Sequence, residues 1–80
     1  MKMTDRETII SILKELKPDV DYEKTTDLAT GHILDSLEYV QLNMRLDDAF
    51  DINITPMDMV PSNYDSVDKI LSLVKKKQEE

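Results

Sequence analysis

Apolar residues recur every three or four positions in three stretches of this chain, the spacing that places side chains on one face of an α-helix. The first stretch opens with Thr4 and Glu7, the reciprocal capping pattern of a helix N-terminus. Lys17-Pro18 is expected to end this helix, because the residue before a proline avoids helical backbone angles. The apolar face predicted for it consists of Ile9, Ile12, Leu13 and Leu16.

A second helix is predicted to begin at Asp35 or Ser36 and to continue to about Phe50. Asp35 serves as its cap, and Glu38 at the third helical position repeats the capping pattern. When the residues are placed at about 100° each, one sector forms an ordinary core face. That face consists of Tyr39, Leu42, Leu46, Ala49 and Phe50.

Two more helices are predicted in the second half of the chain. Thr55-Pro56 is a typical start for a short helix over Met57–Val60, which Pro61 limits. The last helix opens at Asp65 or Ser66. Its predicted apolar face consists of Val67, Ile70, Leu71 and Val74.

Eighty residues suffice for one domain, residues 1–80. The pattern predicts an all-α fold, a small four-helix up-and-down bundle with three main helices and one short helix. A long first loop, residues 18–34, precedes the second helix, and such a long loop in a small domain is typically functional or mobile. Val20, Tyr22 and Leu28 are expected to pin it.

The second helix carries an additional apolar face opposite its core face, formed by Leu37, Val40 and Met44. These side chains either pack under the first loop or form an exposed docking surface. The docking interpretation is favoured, because this face begins beside Ser36, a serine at the helix start that is considered below as the site of chemistry. Its acidic edge would consist of Asp35, Glu38, Asp47, Asp48 and Asp51, set against Arg45.

The net charge of −7 is concentrated in residues 18–68, where twelve Asp and Glu stand against Lys24 and Arg45. This repels nucleic acid and favours a partner with a basic surface, although solubility alone is an alternative reason for the charge. The chain has no cysteine and one histidine, His32, which excludes disulfides, thiolate metal sites and paired imidazoles. No apolar run is long enough for a membrane span, and no signal-peptide pattern occurs at Met1, so we expect a cytoplasmic monomer.

Catalytic and metal-binding chemistry is disfavoured. Ser36 lies outside any Gly-x-Ser-x-Gly motif, and His32 is interpreted as an exposed loop residue, so a serine hydrolase is not expected. The stretch Asp51–Thr55 begins like a calcium loop, but Pro56 stands where the turn requires glycine. We therefore expect neither an enzyme nor a metal site. An exposed hydroxyl at a helix start would, however, suit a phosphodiester.

The stretch Leu34-Asp35-Ser36-Leu37 lies within a longer pattern that resembles the acyl carrier protein family. The resemblance covers almost the whole chain, including the leading helix, the long loop and the Tyr64–Val67 opening of the last helix. The wider pattern continues with Val40, Leu42, Met44, Leu46, Asp47-Asp48 and Phe50.

This resemblance implies that Ser36 receives a 4′-phosphopantetheine group from coenzyme A through a separate phosphopantetheinyl transferase. The thiol of that arm would hold an acyl or aminoacyl group as a thioester, and partner enzymes with basic surfaces would load and transfer it. The chain itself would catalyse nothing. The residues expected to face these partners are Asp35, Leu37, Glu38, Val40, Gln41, Met44, Asp47 and Asp48.

The cargo implied by the resemblance stays open between fatty acid, polyketide or specialised-metabolite, and cell-envelope biosynthesis. Three segments look more like D-alanyl carriers, which serve teichoic acid modification: Ile33–Ser36, Val40–Leu42 and Tyr64–Ser66. Leu37-Glu38 departs from the Met-Gly often found in those carriers, and Tyr64 replaces a Trp. The alternative from another class is an unmodified interaction module that binds one partner through the second apolar face.

Overall fold

The computed structural model describes residues 3–80 and contains three α-helices. They are α1 (Asp5–Leu16), α2 (Ser36–Phe50) and α3 (Val67–Gln78). No strand occurs in this part of the chain, and α1 packs against both α2 and α3. The all-α prediction is confirmed.

The fourth helix of the predicted bundle is not confirmed. Two separate 3₁₀ turns, Pro56–Asp58 and Pro61–Asn63, occupy the region of the expected short helix. Each turn begins at a proline, which lacks the N–H that a continuing helix requires. Pro61 therefore starts a second turn in addition to ending the first.

The predicted helix starts are confirmed by reciprocal hydrogen bonds. At α1, the Glu7 amide donates to Thr4 Oγ1 over 3.1 Å, and the Thr4 amide donates to Glu7 Oε1 over 2.8 Å. At α2, the Glu38 amide donates to the Asp35 carboxylate over 2.8 Å, and the Asp35 amide donates to Glu38 over 2.9 Å. These bonds satisfy amides that would otherwise lack partners at the first turn.

The core is apolar and draws on all three helices and the first loop. Ala49 was assigned to the core face of α2 but is exposed, and Leu71 is only half-buried. Leu73, which the predicted face of α3 omitted, is buried. The buried apolar residues are Ile9, Ile12, Leu13, Tyr22, Leu28, Leu34, Leu42, Leu46, Tyr64, Val67, Ile70, Leu73 and Val74.

The long first loop is fixed to the body of the protein close to Ser36. The Leu28 carbonyl accepts hydrogen bonds from the amides of Ile33 and Leu34, each over 3.1 Å. The amides of Ala29 and Thr30 donate to the Asp65 carboxylate over 3.1 and 2.8 Å. Asp65 precedes α3, so this loop is held against the start of that helix. The loop therefore positions the beginning of α2.

Gly31 is required in the same loop because Asp27 lies close to its Cα atom, and not because of its backbone angles. A Cβ atom at this position would lie 2.6 Å from the carbonyl oxygen of Asp27, well inside van der Waals contact. Any larger residue would displace the turn in which the Gly31 amide donates to that carbonyl over 2.7 Å. The turn leads directly into His32 and the segment that ends at Ser36.

Candidate functional site

Ser36 is the first residue of α2 and is exposed. Asp35 performs the capping, so the serine hydroxyl makes no hydrogen bond within residues 3–80. The N-terminus of a helix carries a partial positive charge, which favours an anionic group at this position. The hydroxyl is thus accessible, and it lies where a helix end favours an anionic group.

The other serines differ in setting from Ser36. The Ser66 hydroxyl caps α3 by accepting a hydrogen bond from the Lys69 amide over 3.1 Å. Ser11 and Ser72 lie on the exposed faces of α1 and α3, within the helices, and Ser62 lies in the second 3₁₀ turn. Ser36 is the serine that combines an exposed hydroxyl with the first position of an α-helix.

The second apolar face of α2 is exposed along its whole length. Leu37, Val40 and Met44 retain 66%, 49% and 66% of their accessible surface. The first loop does not cover them, so the alternative that they pack beneath it does not hold. We call these three residues the apolar strip. It begins one residue after Ser36 and runs two turns along the helix.

The acidic edge expected beside the strip is partly engaged in contacts within the chain. The Asp35 carboxylate caps α2, and the half-buried Glu38 carboxylate lies 3.8 Å from Lys17 Nζ. Asp47 accepts a hydrogen bond from the Ile54 amide over 2.9 Å, which ties the end of α2 to the following segment. Capping by Asp35 and Glu38 was expected from the sequence, whereas the contact of Asp47 with the Ile54 amide was not.

The remaining expected partner residues are not tied down by contacts of this kind among the described residues. Asp48 and Gln41 are exposed, and Gln41 lines a shallow groove with Leu16, Met44 and Arg45. Arg45 forms an ion pair with Glu15 of α1, so the cation beside the strip is already partnered. The strip therefore lies next to uncompensated acidic side chains, and its one nearby arginine is held toward α1.

A cleft of about 360 Å³ lies beside Ser36. Its walls combine the first loop, the beginning of α2 and Met59 from the segment after the first 3₁₀ turn. His32 is exposed there in a left-handed backbone conformation, with φ of 57°. The residues lining the cleft are Ala29, His32, Leu34, Asp35, Ser36, Tyr39, Val40 and Met59.

Sequence reasoning missed Tyr39 and Met59 as neighbours of Ser36. Tyr39 was assigned to the core, and its ring does lie 4.7 Å from the Tyr64 ring, centroid to centroid. Met59 was assigned to a short helix with no role. An available signal was the set of three apolar residues between the two prolines, Met57, Met59 and Val60, which remain exposed.

A second cleft, of about 370 Å³, lies at the other end of α2 and has a different character. Its lysine, Lys77, is almost fully buried and pairs with Asp58 over 2.8 Å and with Glu80 over 3.0 Å. The hydrogen bond from Lys77 is the main reason that the pKa of Asp58 falls to about 2. This cleft contains a compensated structural ion pair and no exposed nucleophile. The cleft beside Ser36 is therefore the candidate site.

Residues 3–80 contain no group of three side chains arranged to hold a metal ion. None of the helices there combines the length and apolar character needed to cross a bilayer.

Curated proteins similar to this chain share one description. A D-alanyl carrier protein of Lactococcus lactis subsp. lactis (strain IL1403) is 32% identical over 71 residues, which cover 89% of this chain and 85% of that protein. D-alanyl carrier proteins of Lactococcus lactis subsp. cremoris, strains MG1363 and SK11, are each 34% identical over the same shares. No protein-family profile matches the chain. No solved structure gives a significant match.

Proposed function

We propose a function from one premise: the chain belongs to the family of D-alanyl carrier proteins, which are phosphopantetheine-dependent carriers. In this proposal the chain carries an acyl or aminoacyl group on a 4′-phosphopantetheine arm attached to Ser36. The observation that carries it is the exposed Ser36 hydroxyl at the first position of α2, free of hydrogen bonds within the described residues.

The residues around Ser36 fit this modification. Ser36 Oγ would form a bond to the phosphorus of coenzyme A that carries the pantetheine, while the pyrophosphate bond breaks and adenosine 3′,5′-bisphosphate leaves. The hydroxyl proton would pass to a base on the transferase. The amide end of α2 favours the resulting phosphodiester, and Asp35 keeps that end formed through its cap. The arm supplies a thiol, which the chain, with no cysteine, lacks.

The apolar strip supports the second part of the proposal, which is recognition by partner enzymes. Leu37 and Met44 are each two-thirds exposed, and an exposed apolar face beside a modification site favours a protein interface. Asp48 and the other acids near it would steer a basic partner surface toward the strip. Partners would supply the catalytic groups, and this chain would position its arm.

We further propose D-alanine as the cargo, ahead of a fatty acyl group. The relatives named above are D-alanyl carriers. The segments Ile33–Ser36 and Val40–Leu42 also resemble that family in sequence. The position after Val40 is Gln41, where fatty-acid carriers usually have a glutamate.

The modification is tested by incubating the protein with coenzyme A and a phosphopantetheinyl transferase, followed by intact-mass measurement. We expect a gain of one phosphopantetheinyl group on the native chain and on Ser62→Ala, an exposed serine outside the helix start. Ser36→Ala should stay folded and unlabelled. A native chain that no transferase modifies would instead favour the unmodified interaction module.

The cargo is tested on the modified protein. We expect an ATP-dependent D-alanine-activating ligase to load the arm's thiol with D-alanine as a thioester. Hydroxylamine should cleave this thioester, regenerate the thiol and release D-alanine hydroxamate. An acyl-activating enzyme supplied with fatty acids serves as the comparison. Efficient fatty acylation with no D-alanylation would reject this cargo and leave the carrier function intact.

A further inference from the structure

The methionines of this protein lie on its surface. Methionine is among the residues most often found fully buried, and it typically fills irregular gaps in a core. Within residues 3–80, however, no buried apolar residue is a methionine. The exposed methionines in this range are Met3, Met44, Met57 and Met59. A chemical change at one of these side chains therefore leaves the packing of the core intact.

Met44 combines this exposure with a place on the apolar strip, at the end furthest from Ser36. It also lines the shallow groove that contains Gln41 and Arg45. The amide of Gln41 carries two N–H donors, and the guanidinium of Arg45 carries N–H donors beyond those that face Glu15. A thioether sulfur is a weak acceptor for such donors, whereas a sulfoxide is polar and accepts through its oxygen. Polar donors therefore adjoin Met44 and would suit its oxidised form.

Hydrogen peroxide oxidises an accessible methionine to the sulfoxide in one two-electron step. A lone pair of the sulfur attacks one peroxide oxygen, so that an S–O bond forms, the O–O bond breaks and, after proton transfer, water leaves. The product is polar and chiral, and methionine sulfoxide reductases convert it back to the thioether. Because the chain has no cysteine, its methionines are the sulfur atoms that peroxide meets in the unmodified protein.

We propose that Met44 is a modification site, at which oxidation by hydrogen peroxide to the sulfoxide weakens the docking of partner enzymes and leaves the fold intact. The oxidised side chain no longer offers an apolar contact, and its oxygen must lose water when a partner covers the strip. A hydrogen bond from Gln41 or Arg45 would hold it in the groove and away from the partner. This inference rests on the proposed function, in which partners dock on the strip.

The test uses the full chain without its arm, because the thiol of the arm would also react with peroxide. The native chain, Met44→Leu and Met57→Leu are treated with hydrogen peroxide, and catalase then removes the peroxide before coenzyme A and a phosphopantetheinyl transferase are added. Peptide mass measurement locates the added oxygen atoms. The initial rate of arm transfer, at low chain concentration, is compared with that of the same protein before treatment. Met57→Leu is the matched control, because Met57 is 89% exposed but lies outside the strip.

We expect oxidation to slow arm transfer roughly ten-fold for the native chain and for Met57→Leu, the scale of one polar group that loses water without gaining a partner. The rate for Met44→Leu should be the same before and after peroxide. The melting temperature of the native chain should not change, and methionine sulfoxide reductases should restore its rate.

Three results would overturn this modification site while leaving the carrier function established. They are a Met44 that peroxide leaves unoxidised, an oxidised native chain that keeps its rate or unfolds, and a Met44→Leu protein that slows as much as the native chain. A chain that accepts no arm before treatment would overturn the proposed function, and this inference with it.

Discussion

Replacing Tyr64 with phenylalanine removes one hydroxyl from the centre of the protein and tests the buried contact between α2 and the segment before α3. The Tyr64 side chain is fully buried, and its hydroxyl donates to Asn43 Oδ1 over 2.7 Å. Burial, the largest cause, raises the pKa of Tyr64 far above its ordinary value, so this group acts as a donor at all working pH values.

The magnitude follows from what the substitution leaves behind. Asn43 Nδ2 is buried and already lacks a partner, so Tyr64→Phe leaves the whole Asn43 amide unsatisfied. An unsatisfied buried polar group costs about 1–3 kcal/mol. We expect a loss near the upper end, roughly 2–3 kcal/mol, which in a domain of this size lowers the melting temperature by about 8–24 °C.

A double-mutant cycle tests the same hydrogen bond from the other side, by replacing Asn43 with leucine. Asn43→Leu alone should also destabilise, because it leaves the Tyr64 hydroxyl without its acceptor. The double variant removes both polar partners and puts apolar groups of similar size in their place, which is close to neutral or stabilising. We therefore expect the double variant to be more stable than Tyr64→Phe alone.

Urea unfolding followed by circular dichroism at 222 nm measures all four proteins, and the coupling energy is the departure from additivity. We expect a coupling of about 3 kcal/mol in favour of the native pair, because the two single losses add to about that much while the double variant stays close to neutral. The reasoning would be refuted if the stability losses of the two single variants were additive. It would also be refuted if Tyr64→Phe lowered the stability by less than about 0.5 kcal/mol, which is the range of ordinary surface substitutions.

Three further predictions concern charge and docking. A hydrogen bond from Lys77 lowers the pKa of Asp58 to about 2. Because folding lowers this pKa, the ionised carboxylate stabilises the protein at pH values above its ordinary pKa near 4. This contribution disappears as the pH falls toward 2. Asp58→Asn should therefore be less stable than the native chain at pH 7 in urea melts, with the gap closing below about pH 2; a gap independent of pH would contradict this assignment. Met44→Glu changes an exposed residue and should slow transfer of the arm roughly ten-fold with little change in stability. Leu46→Ala truncates a fully buried side chain and should lower the stability by about 2–5 kcal/mol. The reverse pattern would disprove the orientation of α2. The melting temperature should rise with added sodium chloride and further with millimolar magnesium, because residues 18–68 hold twelve acids and screening weakens their repulsion. A melting temperature that stays flat or falls as salt is added would show that ion pairs already compensate these acids.

The three α-helices and their starts could be predicted from the sequence because the determinants are local, whereas the short fourth helix could not. Thr4 with Glu7 and Asp35 with Glu38 satisfy the first-turn amides within three residues, so their pattern is visible without tertiary contacts. The exposed strip on α2 was also visible, since the angular spacing of Leu37, Val40 and Met44 opposes the core face. The sequence likewise indicated Ser36, through its neighbours and the resemblance they carry.

Only the tertiary structure decided the contacts between residues distant in sequence. The Asp65 carboxylate binds the amides of Ala29 and Thr30, and Lys77 binds Asp58, across separations that no periodic pattern encodes. The cleft beside Ser36 likewise brings Met59 to Tyr39 from another segment. Helix formation depends on neighbouring residues, whereas side-chain partners and clefts depend on how the segments pack. The sequence by itself therefore determined the helices and the modification candidate, and packing determined their surroundings.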